Sequence, residues 1–278
     1  MNNRWGIQRR TGQAARRARN VGLALAICTA LGSRLAAAGE ADVSTWFFHA
    51  PVHVDDVRQL KRSATKGEVS AQLAYAKYLF DHGGKPLAIF WLTEANNQGN
   101  EQAEYLLGLL YAHGDGVAQD PDQSRYFLGK AADQNYGPAQ YALGEMLLNA
   151  EFDDPDQQGN QDETIAAKTS RGVSLLQRSA RAGYAPAQYR LGLMYYNGQG
   201  VETDRRAALR AFVQAADQGV AAAAFMAARC YASGAGTRKD ADAAKRYLLQ
   251  TIKLAGSNSR YGRDAQAMIS ELPDGPSR

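Results

Sequence analysis

The chain has 278 residues, 45% hydrophobic and 22% charged, with two cysteines and a formal net charge of +4. Seven basic residues, Arg4, Arg9, Arg10, Arg16, Arg17, Arg19 and Arg34, lie in the first 38 positions beside no acid, leaving 25 basic against 28 acidic residues and a net charge of −3 for the rest. This removes the charge argument for a nucleic-acid partner, and with Cys28 also in that stretch, Cys230 is left alone and no internal disulfide can form.

In chain order, residues 1–38 read as a secretory signal peptide. The arginines precede an apolar run, Val21 to Leu31, and then Ala36-Ala37-Ala38 before Gly39-Glu40. The run is shorter than the roughly 20 residues that a membrane span needs. Cleavage and a periplasmic or secreted protein are expected, with an uncleaved anchor as the alternative. Ile27 before Cys28 argues against a lipobox, which requires a small residue there. Residues 39–66 form an N-terminal segment ending in a capping half-repeat, with a helix over 54–66.

From residue 67 a phrase recurs: A-x-x-x-L-G-x-x-Y-x-x-G-x-G-V. It runs from Ala103 through Gly108 and Tyr111 to Gly114, Gly116 and Val117. It returns from Ala187 through Gly192 and Tyr195 to Gly198, Gly200 and Val201, and more loosely from Ala223 through Tyr231 to Gly234 and Gly236. Each unit closes on a residue suited to the left-handed conformation: Gly67, Gly99, Asn135, Gly183, Gly219 and Ala255/Gly256. A fixed period of this kind sets the architecture.

Each unit reads as two helices. Helix A is expected to start about four residues after the closing residue and to run about ten residues. The G-x-G turn follows, and Asp120, Asp204 and Asp240 stand where an N-cap is wanted. Helix B follows, as at Ala208, Ala211, Phe212, Ala215 and Ala216, whose spacing is helical. Gly108, Gly144 and Gly192 fall inside helix A at a cost of about 1 kcal/mol each relative to Ala. Close approach of the paired helix is the expected compensation, and Ala76 and Ala228 fill the same column. No hairpin buries its apolar face alone, so the units must stack. The fold expected is all-α: a right-handed α/α solenoid of about five repeats over 67–256. A cap and tail at 257–278 would close it with an amphipathic helix near 263–272.

The pattern resembles the Sel-one-like repeat (SLR), a relative of the tetratricopeptide repeat. Trp91, Phe127, Leu175 and Ala211 stand at the column where that family favours Trp. The resemblance implies a non-catalytic adaptor that holds another protein, often in the bacterial envelope. It also admits a part in exopolysaccharide export, with polysaccharide as a possible partner, or a secreted host-interaction factor. No catalytic residue or cofactor carries over, because the motif contains none.

Other chemistry is weaker. Ser63-Ala64-Thr65-Lys66 matches the S-x-x-K of β-lactam-recognising enzymes, but no sheet is predicted and Ser63 falls in a helix-B packing column with Ala95, Ala131 and Ala215. An acidic insertion at 151–163 lengthens one period from 36 to 48 residues. Its Asp154, Asp156, Gln158 and Gly159 fit part of a calcium loop, but Ile165 stands where the bidentate Glu belongs. It reads as a solvated loop or a partner-specific protrusion. His49, His53, His82 and His113 form no zinc set, and no metal is expected.

The candidate binding residues lie on helix A, expected to line the concave surface. Counting from Ala103, the +2 column reads Leu73, Tyr105, Tyr141, Tyr189 and Phe225. The +6 column reads Lys77, Leu109, Glu145, Leu193 and Arg229. Two readings stay open. The rings line a groove for a protein partner, with Lys77, Glu145 and Arg229 setting selectivity, or they pack between successive units.

Overall fold

The structure is a computed structural model that describes residues 57–149 and 165–272. The expected signal peptide, His49, His53 and the acidic insertion with its calcium-like spacing lie outside the described residues.

The described residues form twelve helices and no strand. They are α1 (Val57–Thr65), α2 (Val69–Asp81), α3 (Lys85–Asn97), α4 (Glu101–His113), α5 (Pro121–Asp133), α6 (Gly137–Asn149), α7 (Ile165–Arg181), α8 (Ala185–Asn197), α9 (Arg205–Asp217), α10 (Ala221–Ser233), α11 (Ala241–Ala255) and α12 (Arg260–Glu271). Each packs on its neighbours in the chain, and α10 also touches α12. Five hairpins, α2–α3 to α10–α11, stand in series between caps α1 and α12. None of these helices is long and apolar enough to cross a membrane.

The closing residues adopt the left-handed backbone that their composition demands. Gly99, Gly183 and Gly219 have φ of 76, 87 and 92°, and Asn135, at 63°, is the one non-glycine with positive φ among the described residues. Helix A differs from the expectation: it is longer and starts earlier. α4, α8 and α10 are 13 residues each and begin two residues after the closing glycine. A single extended residue suffices as N-cap, because it already reverses the chain. Asn100 Oδ1 accepts from Ala103 N at 2.8 Å, and Pro186 fits the first turn of α8, where no N–H is needed. Asp120, Asp204 and Asp240 cap α5, α9 and α11 as expected.

The helix-A glycines sit where paired helices touch. A β-carbon on Gly108 would lie 2.7 Å from Leu128 Cγ, and one on Gly192 would lie 2.7 Å from Phe212 Cδ1. Successive units are tied by long side chains reaching back to the end of the previous helix B. Arg178 donates to Asn135 Oδ1 at 2.8 Å and Ala132 O at 3.3 Å, and Gln250 Nε2 donates to Ala216 O at 2.8 Å.

Candidate functional site

The +2 rings lie between successive units. Tyr105 is 7% exposed, with its ring 5.5 Å from that of Tyr136, which precedes α6. Tyr141 stands 5.6 Å from Tyr184, which precedes α8. Tyr189 lies 6.0 Å from Phe212 and its hydroxyl bonds to that of Tyr261 in α12. Phe225 lies 5.8 Å from the Tyr261 ring. Burial raises the hydroxyl pKa of Tyr105, Tyr141 and Tyr189 above the usual phenol value. Tyr105 is therefore no groove-lining ring, since each added unit covers the face that a single helix would leave open. Tyr141, Tyr189 and Phe225 are half-buried and leave only part of each ring to solvent.

The +6 column is less covered. Lys77, Leu109 and Leu193 are half-buried, and Arg229 is exposed with Nη1 3.7 Å from Met226 Sδ. Glu145 is not a free selectivity charge. Arg190 Nε donates to its Oε1 at 2.8 Å, with the two side chains 22% and 13% exposed. Arg190 was not among the candidates. It lies 45 residues away in sequence, and only the stacking of α8 on the preceding unit brings the pair together.

A buried polar column also runs along the A helices. At +1 stand Gln72, Glu104, Gln140 and Gln188, all under 9% exposed. Gln140 Nε2 and Gln188 Nε2 donate to Ala132 O and Ala180 O, carbonyls at the end of the preceding helix B. Repeated polar identity at a column adjoining the core was its only sequence signal. Glu104 departs from the glutamine rule. It is 1% exposed, with Lys130 Nζ 2.9 Å from Oε1 and Gln134 Nε2 donating to Oε2 at 2.7 Å. Lys130→Ala is expected to cost about 2 kcal/mol in urea unfolding, less than a fully buried pair because the lysine side chain stays 37% exposed. Adding Glu104→Gln is expected to recover most of that loss, because glutamine leaves no charge buried. A double variant no more stable than Lys130→Ala contradicts this account.

Ser63 is half-buried in α1 and Lys66 is exposed in the following turn. Cys230 is fully buried, and burial pushes its thiol up to about 11, away from reactivity. Among the described residues no group of three His, Cys, Asp or Glu could hold a metal.

Serial hairpins with constant small-residue columns and a varied helix-A face define an α-solenoid repeat protein. A model of the Sel1 repeat matches residues 69–100, 101–136, 137–158, 185–220 and 221–255, more than half of the chain. The chain belongs to the Sel1 repeat family, whose repeats commonly serve as protein-interaction modules and are generally non-catalytic scaffolds. The Escherichia coli protein c5321, a protective antigen of uropathogenic strains displaying an SLR fold, matches with a TM-score of 0.64 and 23% identity over 88% of this chain and 51% of its own. A Sel1 repeat protein from Oxalobacter formigenes matches with a TM-score of 0.65 and 27% identity over 84% of this chain and 68% of its own. The chain thus spans about half the length of the E. coli antigen.

Proposed function

We propose that this protein is an exported adaptor of the cell envelope that holds a segment of another protein along its helix-A face. One observation carries the reading. The +6 side chains change from Lys77 through Leu109, Glu145 and Leu193 to Arg229 and stay partly accessible, while the neighbouring +5 column stays Ala or Gly. A scaffold needs the constant column, and a partner-specific surface needs the varied one. Apolar contact would come from Leu109, Leu193 and the open parts of Tyr141, Tyr189 and Phe225. Lys77 and Arg229 would supply charge. Export rests on the arginines, apolar run and A-x-A of residues 1–38.

The test is a photo-crosslinking residue at position 193, with position 61 as control, in cells that make the full chain. A discrete protein adduct is expected from 193 and none from 61. Leu193→Glu is expected to lose that adduct partner in pull-down while keeping its melting temperature. Tyr141→Ala with Tyr189→Ala is expected to lower melting as well, because those rings pack between units. Capture that survives Leu193→Glu refutes the helix-A face. The envelope form is expected to begin at Gly39, which N-terminal sequencing reads directly.

A further inference from the structure

Among the described residues, α1 is the one helix B that no helix A precedes, and its core columns are less covered than those of the later units. Seven residues before the closing position stand Leu92, Leu128, Leu176, Phe212 and Leu248, each at most 1% exposed. Leu60 holds that place in α1 and is only half-buried. Four residues before the closing position stand Ala95, Ala131, Ser179, Ala215 and Thr251, all fully buried, while Ser63 in α1 is half-buried. Leu60 and Ser63 line one shallow depression with Gln59, Glu68, Ser70 and Ala71.

In later hairpins the Leu60 column meets the small column of helix A. A β-carbon on Gly108, Gly144 or Gly192 would lie 2.7, 3.2 or 2.7 Å from the side chain of Leu128, Leu176 or Phe212 respectively. The phrase around that small residue has an apolar residue before it and Leu or Tyr three after. It reads Tyr75-Ala76-x-x-Leu79, Leu107-Gly108-x-x-Tyr111 and Leu191-Gly192-x-x-Tyr195. The chain ahead of α1, which lies outside the described residues, carries the phrase once more as Val43-Ser44-Thr45-Trp46-Phe47, with Phe in the last place. Ser44 precedes Leu60 by 16 residues, the interval from Ala76 to Leu92. Pro51, which ends a helix, stands at the turn column of Gly83.

We propose that residues 43–49 are the helix A of a further hairpin whose helix B is α1. Ser44 then seats on Leu60, and Val43 and Phe47 cover the depression. The occupant is this chain's own segment because of where it is attached. Residues 50–56 join it to α1 and reach about 23–25 Å when extended, ample for helices packed about 8–10 Å apart. So short a tether holds the segment at an effective concentration on the order of mM, which a free partner or a second copy must outcompete. A terminal unit of this kind shields the core of a solenoid from solvent. It also sets Thr45 ahead of Lys77 in the varied +6 column, although it does not depend on what that column binds.

Disulfide trapping in the full chain carrying Cys28→Ser tests it, because the remaining Cys230 is fully buried. Ser44→Cys with Leu60→Cys is expected to oxidise to a bridge within one chain. Trp46→Cys with Leu60→Cys is expected to form little, because position 46 lies about 200° round the helix from position 44. In the wild-type chain, the amides of 43–49 should exchange at least about tenfold more slowly than in unstructured peptide. Phe47→Asp should lower the melting temperature by about 5 °C, while Trp46→Asp should leave it within about 1 °C. Equal bridging from 44 and 46, no bridging from either, or unprotected exchange over 43–49 overturns the proposal. So does a bridge found only between chains, which would mean that a second copy supplies the segment.

Discussion

Phe212→Ala is expected to cost about 3–5 kcal/mol, the usual range for a fully buried aromatic ring. Phe212 is fully buried, with the rings of Tyr189 and Tyr196 6.0 and 6.2 Å away. At about 2–4 °C per kcal/mol for a chain of this size, melting should fall by on the order of 10 °C. The loss should be felt in the neighbouring hairpins, because a solenoid is held by contacts between adjacent units. The pairing with Gly192 gives a sharper test. Gly192→Ala alone drives a methyl into the Phe212 ring and is expected to cost about 1–3 kcal/mol. In Phe212→Leu the ring is gone, and the helix preference of Ala over Gly, about 1 kcal/mol, works in the other direction. Two of the other units already pair Ala76 with Leu92 and Ala228 with Leu248 at these columns, while two keep Gly108 with Leu128 and Gly144 with Leu176. Unfolding in urea should therefore show the double variant Gly192→Ala with Phe212→Leu to be more stable than the sum of its single changes predicts. Strict additivity would mean that the two side chains do not compete for one space.

Gly236→Ala is expected to be the most damaging change at any turn glycine, at about 4 kcal/mol. Two penalties coincide. Its φ is +78°, which costs an L-residue about 1–3 kcal/mol. An alanine β-carbon would also lie 2.8 Å from Arg206 N and overlap the Arg205 carbonyl, for a similar amount again. The equivalent glycines meet side chains. A β-carbon on Gly116 would approach Ile89 Cδ1 and Lys85 Cβ at 3.0 and 3.1 Å, and one on Gly200 would approach Thr169 Cγ2 at 3.1 Å. Side chains can turn away where a backbone carbonyl cannot. The expected order of damage is Gly236→Ala above Gly116→Ala and Gly200→Ala, read as urea midpoints. Equal losses at all three would show that only the backbone conformation matters there.

The closing residues and Asp caps were legible because each requirement is local. A left-handed φ selects Gly or Asn, and an exposed helix N-terminus selects Asp. The Gly108 and Gly192 columns were legible because a helix keeps a costly glycine only where something presses on it. The glutamines at Gln140 and Gln188 were not, since a polar residue beside the core looks like surface until a carbonyl of the preceding unit is placed over it. The Glu145–Arg190 pair was hidden for a related reason. Its 45 residues of separation span the insertion and most of a repeat, and no local spacing rule reaches that far.

The sequence alone determined the period, the two-helix unit, the glycine columns and the family, because these follow from backbone conformation and helical spacing within one unit. Only the tertiary structure decided how much of each side chain reaches solvent. Tyr105 and Leu109 lie four residues apart on one face of α4, yet Tyr105 is buried and Leu109 is not fully covered. Periodicity tells which side of a helix a residue occupies. The depth of burial is set by the next unit, whose Tyr136 packs against Tyr105, and by the stacking that no single repeat contains.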